Sequence, residues 1–322
     1  MRMADTLVLW LAVLVGVPTG VLAENWPHKP VRVIVTAATG SAPDVMARLL
    51  ADRLGRAFQQ QFIVDSRGGA GGNIALGALR RLPADGYALG VVHASAITVA
   101  PHTMKEMQYD FDKDFVPVAL VARAPLLMVA AAHAPAQTLG GVLALAKAQP
   151  DIVTVAVSGF NSVPHLATEM LAHRSGSKFF TVSFNGSTTA ISALLSRDAM
   201  LMTDGVAALA SMVESGKLTP IAVFSRKRLA RYPTVPTVAE MVPDMVVDGW
   251  FVLVAPRGTP DAIVERLAAE IRKATVDQEV AARMGALGMY PEALSGVALA
   301  QFIRSEQDLW RRTADQLGIQ RQ

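Results

Sequence analysis

The chain has 322 residues, 52% of them hydrophobic and 18% charged, and a net charge of +3. That is about twice the length of a typical domain, so two domains are expected, and so apolar a composition excludes disorder. The charge is small and dispersed, with no basic run longer than Arg226-Lys227-Arg228 and no aromatic ladder, which excludes nucleic acid as a partner. Cysteine is absent, which excludes disulfides, thiolate metal sites, cysteine nucleophiles and a lipidated N-terminal cysteine.

The N-terminus has the make-up of an export signal. Arg2 supplies positive charge, Leu7 to Val17 is an apolar run of 11 residues, Pro18 and Gly20 break it, and Val21-Leu22-Ala23 is a small-residue cleavage site. Asp5 is atypical of the basic part. The run is too short to span a bilayer. Residues 1–23 are therefore expected to be removed, leaving a periplasmic chain that starts near Glu24 and has no transmembrane span.

Val31 to Val35 is β-branched and predicts the first strand. Thr36 to Pro43 predicts a loop, and Asp44 a cap for a helix with the stripe Met46, Leu49, Leu50, Leu54 and Phe58. Open α/β sheets bind ligands where such a loop joins a strand end to a helix start, and the helix dipole with its free amides suits an anion there. Phe62 to Val64, then Gly68, Gly69, Gly71 and Gly72, then Ile74 to Leu82 predict strand, turn and helix, with Asn73 as the cap. The glycine spacing rejects a dinucleotide fingerprint, because Ile74 stands where a glycine is required, and no Gly-Lys-Ser/Thr triplet offers a phosphate loop. The glycines serve either a structural turn or a close approach to another group. Tyr87 to Val92 predicts a third strand that runs on to Ser95, whose hydroxyl faces a cleft in this reading.

Phe115 to Ala131, interrupted by Arg123 and Pro125, predicts a long strand. Leu139 to Ala148 predicts a helix and Val153 to Val157 a strand. The loop Ser158 to Ser162 leads into a helix with Pro164 in its first turn. Its hydroxyls and amides suit a ligand carboxylate and ordinary capping alike. Phe179 to Val182 predicts a strand, Ser187 a helix cap, and Met200 to Met202 a strand with Thr203 and Asp204 at its end. Asp204 either faces the cleft or caps the next helix, near Ala207 to Val213; in the cleft it would repel a simple dianion or take an amine or hydroxyl. Thr219 to Phe224 and Trp250 to Pro256 predict strands, and Thr259-Pro260 opens a helix. Asp277 to Leu287 and Leu299 to Leu317 predict further helices. No repeat of short fixed period is present; the halves share only the order strand, loop, helix.

Several segments in one order carry a family resemblance. They are Trp26 to Val35, Gly40 to Asp44, Ala47 to Leu50, Arg67 with Gly69 to Ile74, and Asp85-Gly86-Tyr87. Together they resemble the Bug/TctC family, the extracytoplasmic solute-binding proteins of tripartite tricarboxylate transporters, over nearly all of the mature chain. The resemblance implies an α/β, two-lobed periplasmic binding protein, type II-like, each lobe a mostly parallel sheet flanked by helices. Residues 24–123 would begin lobe 1, 124–225 form lobe 2, and 226–322 return through the hinge to lobe 1. Phe115 to Ala131 and Trp250 to Pro256 would be the hinge strands.

The family's first loop is commonly Pro-Phe-x-Pro-Gly-Gly-x-x-Asp, whose amides hold a ligand carboxylate. Here Gly40 and Asp44 match, Ala37 replaces the aromatic, Ser41 replaces the second glycine, and Pro43 removes one N–H donor. The second-lobe pattern Ser-Gly-x-Gly-Thr/Ser-x-x-His-Leu is met by Ser158, Gly159, Ser162, His165 and Leu166, with Asn161 in place of a glycine. The resemblance thus implies a ligand site built from Ala37, Thr39, Gly40, Ser41, Ala42, Asp44, Ser95, Ser158, Gly159, Asn161, Ser162, His165 and Asp204. It also implies a small organic acid as solute, membrane transporter subunits as partners, a monomer, and no cofactor.

Catalysis has little support in the residues. The six histidines form no His-Glu-x-x-His, no Gly-x-Ser-x-Gly elbow exists, and Ser175 to Lys178 fits Ser-x-x-Lys only in a polar turn. A ligand sensor that signals to a membrane protein would need the same cleft as a transport receptor.

Overall fold

The computed structural model describes residues 26–321; the expected export signal lies outside them. In chain order the strands are β1 Val31–Val35, β2 Phe62–Ser66, β3 Ala88–His93, β4 Phe115–Ala131, β5 Thr154–Val157, β6 Phe180–Ser183, β7 Leu201–Gly205, β8 Leu218–Val223, β9 Asp248–Pro256 and β10 Tyr290–Pro291. The helices are α1 Ala42–Phe58, α2 Asn73–Leu79, α3 Ala94–Thr98, α4 Ala100–Thr103, α5 Phe111–Asp114, α6 Leu139–Ala148, α7 Val163–Ser175, α8 Ser187–Leu195, α9 Val206–Glu214, α10 Asp261–Thr275, α11 Gln278–Ala286 and α12 Gly296–Gln316.

The sheet order is β2-β1-β3-β9-β4-β7-β5-β6, with β8 and β10 also on β4. It holds the same unit twice. In lobe 1, β2, β1 and β3 are parallel and β9 joins antiparallel. In lobe 2, β6, β5 and β7 are parallel and β4 joins antiparallel. Buried β-branched strands with helices on their faces are what parallel sheets require.

The two units are joined by β4 and β9, which pair antiparallel from Phe115↔Pro256 to Pro125↔Asp248. Beyond that point β4 leaves β9 and pairs with β7 and β8. Arg123 and Pro125, expected to interrupt the run, leave it continuous. Pro117 lies beside a register shift, where a missing N–H is tolerated. Pro125 is the last residue paired to β9, where the strand changes partner. The strands approach closely there, since a Cβ on Gly249 would lie 2.8 Å from the Ala124 carbonyl oxygen.

One apolar cluster fills one face of lobe 1 and runs on into lobe 2, from Ile34 and Leu79 through Phe115 and Trp250 to Leu166 and Trp310. Trp250 and Trp310 are each 1% exposed, and burying a large apolar side chain contributes roughly 1.5–3 kcal/mol. A second cluster lies under α1, α10 and α11, and a third under α8 and α9. The third also includes Leu229, Tyr232 and Val235.

Three expected caps act otherwise. Asn73 opens α2 without capping it, and instead accepts from Gln108 N (2.7 Å) and donates to Glu106 O (3.0 Å). Ser187 is the first residue of α8, with Gly186 at the cap. Asp44 sits in the first turn of α1 behind the cap residue Ser41.

Candidate solute-binding cleft

The turns that open α1 and α7 are built alike. In lobe 1, Ser41 precedes the helix, Pro43 lies in its first turn, and Asp44 Oδ2 accepts from Gly40 N at 2.9 Å. In lobe 2, Ser162 precedes the helix, Pro164 lies in its first turn, and His165 Nδ1 accepts from Asn161 N at 3.0 Å. Each serine hydroxyl donates three residues back, Ser41 to Ala38 O (2.6 Å) and Ser162 to Gly159 O (2.7 Å). Gly40 and Asn161, at φ 79° and 53°, both take the left-handed conformation, which glycine and asparagine adopt most readily. A charged side chain stands four residues beyond each acceptor: Arg48 binds Asp44 at 3.0 Å, and Glu169 lies 3.9 Å from His165.

The electrostatics differ. Burial would raise the Asp44 carboxyl, but hydrogen bonds from Arg48, Ser66 and Gly40 overcome it and hold the group below the usual carboxylate range. Burial lowers the His165 imidazole, with Glu169 partly opposing, so the ring is neutral and free to accept at Nδ1. Phe160 lies over that ring with centroids 4.9 Å apart, and is itself 55% exposed.

Both third strands also end in a titratable residue. At the end of β3, His93 takes a hydrogen bond from Ala96 N, and burial lowers its pKa to about 4. At the end of β7, Asp204 accepts from Gly205 N at 2.7 Å, and burial raises its pKa. The Ser187 and Ser158 hydroxyls approach closely enough to oppose that rise, while Asp204 Oδ2 completes no hydrogen bond of ordinary geometry among the described residues.

One hydrogen bond crosses between the lobes at these turns: Val163 N, the first amide of α7, donates to Ser95 Oγ at 3.1 Å. Ser95 lies in the first turn of α3, just past β3. Two broad surface grooves lie elsewhere. One runs between α1 and the edge strand β2, the other between α4 and α12.

The structure therefore brings Ser95, Ser158, Gly159, Asn161, Ser162, His165 and Asp204 into one neighbourhood. In lobe 1 it gathers Ala37 to Asp44 at the matching turn. Ala37 packs on the lobe 1 core, Thr39 and Gly40 are exposed, and Ala42 is the first residue of α1. Asp44 is turned inward at 2% exposure, with its oxygens taken by Gly40, Arg48 and Ser66. Ser162 likewise serves its own helix, accepting from His165 N at 3.4 Å. The glycine-rich turn packs closely on the lobe 1 loop and on α3: a Cβ on Gly68 would lie 2.9 Å from Ala38 N, and one on Gly72 3.0 Å from the Ala96 Cβ. Sequence reasoning passed over Arg48, Ser66, Glu169 and Phe160. The shared Ser-x-Pro, followed by an acceptor and a charged residue one turn on, was the available signal.

Residues 46–319 match the family model described as tripartite tricarboxylate transporter family receptor, TctC. The chain belongs to the TctC family. It is 32% identical to Protein BugT of Bordetella pertussis over 94% of each chain. A UPF0065 protein of Bordetella bronchiseptica is 33% identical over 89% of this chain and 85% of that one. Among solved structures, R. palustris Rpa4515 with adipate superposes with a TM-score of 0.86 at 29% identity, covering 92% of this chain and 100% of that one. MatC from Rhodopseudomonas palustris with bound malate gives 0.80 at 29% identity, over 89% and 99%. Periplasmic binding protein BugD gives 0.82 at 28% identity, over 92% and 100%. TctC proteins are periplasmic solute-binding receptors of two-lobed α/β architecture, not enzymes. Among the described residues no helix is long and apolar enough to cross a membrane, and no His, Asp and Glu group is placed to hold a metal.

Proposed function

We propose that this chain captures a small carboxylate-bearing solute between its lobes and presents it to the membrane subunits of a tripartite tricarboxylate-type transporter. The supporting observations are the pair of matched helix-opening turns and the hydrogen bond by which the second of them, through Val163 N, meets Ser95 Oγ in the first turn of α3. An oxygen from lobe 1 already accepts the first amide of α7. A guest carboxylate offers the same kind of acceptor to both turns, and helix starts favour that charge. The solute then bridges the lobes, and closure about β4 and β9 follows from its contacts with both. In this reading lobe 2 runs from residue 124 to the return at Asp248, and the mature chain begins near Glu24 in the periplasm. The turns 37–41 and 158–162 with Ser95 touch the solute, while Asp44 and His165 hold the turns in shape. Gly40 and Asn161 supply the curvature, and Asp204 lies beneath Ser158.

Native mass spectrometry of freshly purified protein tests this. An added mass that disappears on denaturation and titrates as an organic acid is the expected result, and Ser158→Ala should lower its retention. Retention of a cation or of no carboxylate, with unchanged melting in a panel of mono-, di- and tricarboxylates, would remove the proposal.

A further inference from the structure

Resting on that function, we propose that Asp204 sets the chemistry of the solute's far end, requiring a hydrogen-bond donor there. Asp204 lies at the carboxyl end of β7, between β4 and β5, beside the start of α9 and within reach of Ser158 and of Ser187 at the start of α8. It is 7% exposed, its Oδ1 takes Gly205 N, and its Oδ2 has no hydrogen-bond partner among the described residues.

Among the described residues no cation acts on it. Only the Ser187 and Ser158 hydroxyls and the Gly205 amide oppose its burial. Of the elements packed against it, α8, β5 and the lobe 2 part of β4 carry no titratable side chain. On α7 stand His165, Glu169, His173 and Arg174, and on α9 Glu214, which pairs with Arg231; none of them acts on Asp204. A buried carboxylate in such a place is completed by a donor and opposed by another acceptor.

The turn that approaches Asp204 is the one that meets lobe 1 at Ser95. A solute entering between the turns, with its carboxylate on the helix starts, brings its far end to this acid. A hydroxyl, amide N–H or ammonium completes Oδ2 directly. A second carboxylate does so only when one of the two acids carries a proton, which the pair then shares. Binding of a dicarboxylate to the ionised form of Asp204 therefore takes up one proton, and binding of a donor-tailed acid to that form does not.

The test is titration calorimetry on the full chain with adipate, its monoamide and the hydroxy and amino acids of matched length, at about pH 8 and about pH 5.5. At the higher pH the donor-tailed acids should bind at least about tenfold more tightly than adipate, as expected for one hydrogen bond to a charged group. Adipate should gain about tenfold on acidification and show proton uptake when buffers of different ionisation enthalpy are compared. Asp204→Asn places an N–H where the acid stood. It should raise adipate affinity at the higher pH and flatten its pH dependence. Should that variant fail to fold, the wild-type series still decides. Adipate that binds as tightly as the hydroxy acid at both pH values overturns the role of Asp204 and leaves carboxylate capture intact. Failure of every acid to bind overturns both.

Discussion

The lobes hold equivalent turns with exchanged chemistry. Lobe 1 places an acid behind its turn and an imidazole at the end of its third strand, Asp44 and His93. Lobe 2 places the imidazole behind the turn and the acid at the strand end, His165 and Asp204. Both backbones receive the same support, an acceptor for the amide just before the cap. Their surroundings differ. Asp44 is saturated by donors and kept charged, while among the described residues Asp204 has only two serine hydroxyls and one amide to oppose its burial, and its Oδ2 completes no hydrogen bond of ordinary geometry. The difference teaches that turn geometry is set by which group accepts, whatever the charge of that group. Lobe 1 has fixed its acid in the scaffold, and on the proposal above lobe 2 leaves its own to the solute.

The sharpest way to break that contrast is to remove each acceptor. Asp44→Ala leaves Gly40 N, Ser66 Oγ and the Arg48 guanidinium without their shared partner. The Arg48 guanidinium is half exposed and regains water, so the cost is that of the lost hydrogen bonds to a charged acceptor, about 1.5–3 kcal/mol. His165→Ala removes one neutral acceptor from Asn161 N, worth about 1 kcal/mol. Urea unfolding of both variants should therefore show the lobe 1 substitution to be the more damaging. Equal losses would mean that the two turns are held by something other than these side chains.

Acid should separate the lobes more gently. His165 must be neutral to accept at Nδ1, and its folded pKa lies below the unfolded value of about 6.5. The unfolded chain therefore takes the proton first, and the stability tied to the neutral ring is present above about pH 6.5 and lost as pH falls below it. His93 acts in the same sense, down to its folded value of about 4. Asp44 is lowered, so its contribution persists through this range and fades only as pH falls through its depressed folded value. Asp204 is raised and works oppositely, with less strain as it gains its proton. Hydrogen exchange read locally keeps these apart. Between about pH 7 and about pH 5, amides of residues 159–166 should lose protection before those of residues 38–45, and His165→Gln, which retains an acceptor but does not titrate, should suppress the change. Loss at the same pH in both turns would show that His165 is not the group responsible.

The frame of this molecule was legible in the sequence because its signals are local. The β-branched run at Val31, the helical stripe from Met46 to Phe58 and the long apolar run from Phe115 each point to one element, and each element formed. The second copy of the unit was legible only as a repeated order of strand, loop and helix. Between 38–48 and 159–169 the shared identities are Ser41 with Ser162 and Pro43 with Pro164. Asp and His, or Arg and Glu, count as mismatches in sequence although each does the same geometric work. Asn73, Ser187 and Asp44 all have cap chemistry, yet tertiary partners took Asn73 and Asp44, and the Ser187 hydroxyl turned toward Asp204. The glycine-rich turn was conspicuous but its partner was not, since Gly68 meets Ala38 only once the sheet has formed.

The smallest expected effect lies at the contact between the lobes. Ser95→Ala removes the acceptor of Val163 N without touching either turn's internal support. One neutral hydrogen bond contributes about 1 kcal/mol, or roughly fivefold in a dissociation constant. Ser95 belongs to lobe 1 and Val163 to lobe 2, so the loss falls on the closed form alone. It should appear mainly as faster solute release, measurable by stopped-flow fluorescence, with association and melting of the unliganded protein nearly unchanged. A drop in unliganded stability as large as that of His165→Ala would instead place Ser95 in the scaffold of lobe 1. The likeness of the two turns would then be a matter of folding and would say nothing about how they meet.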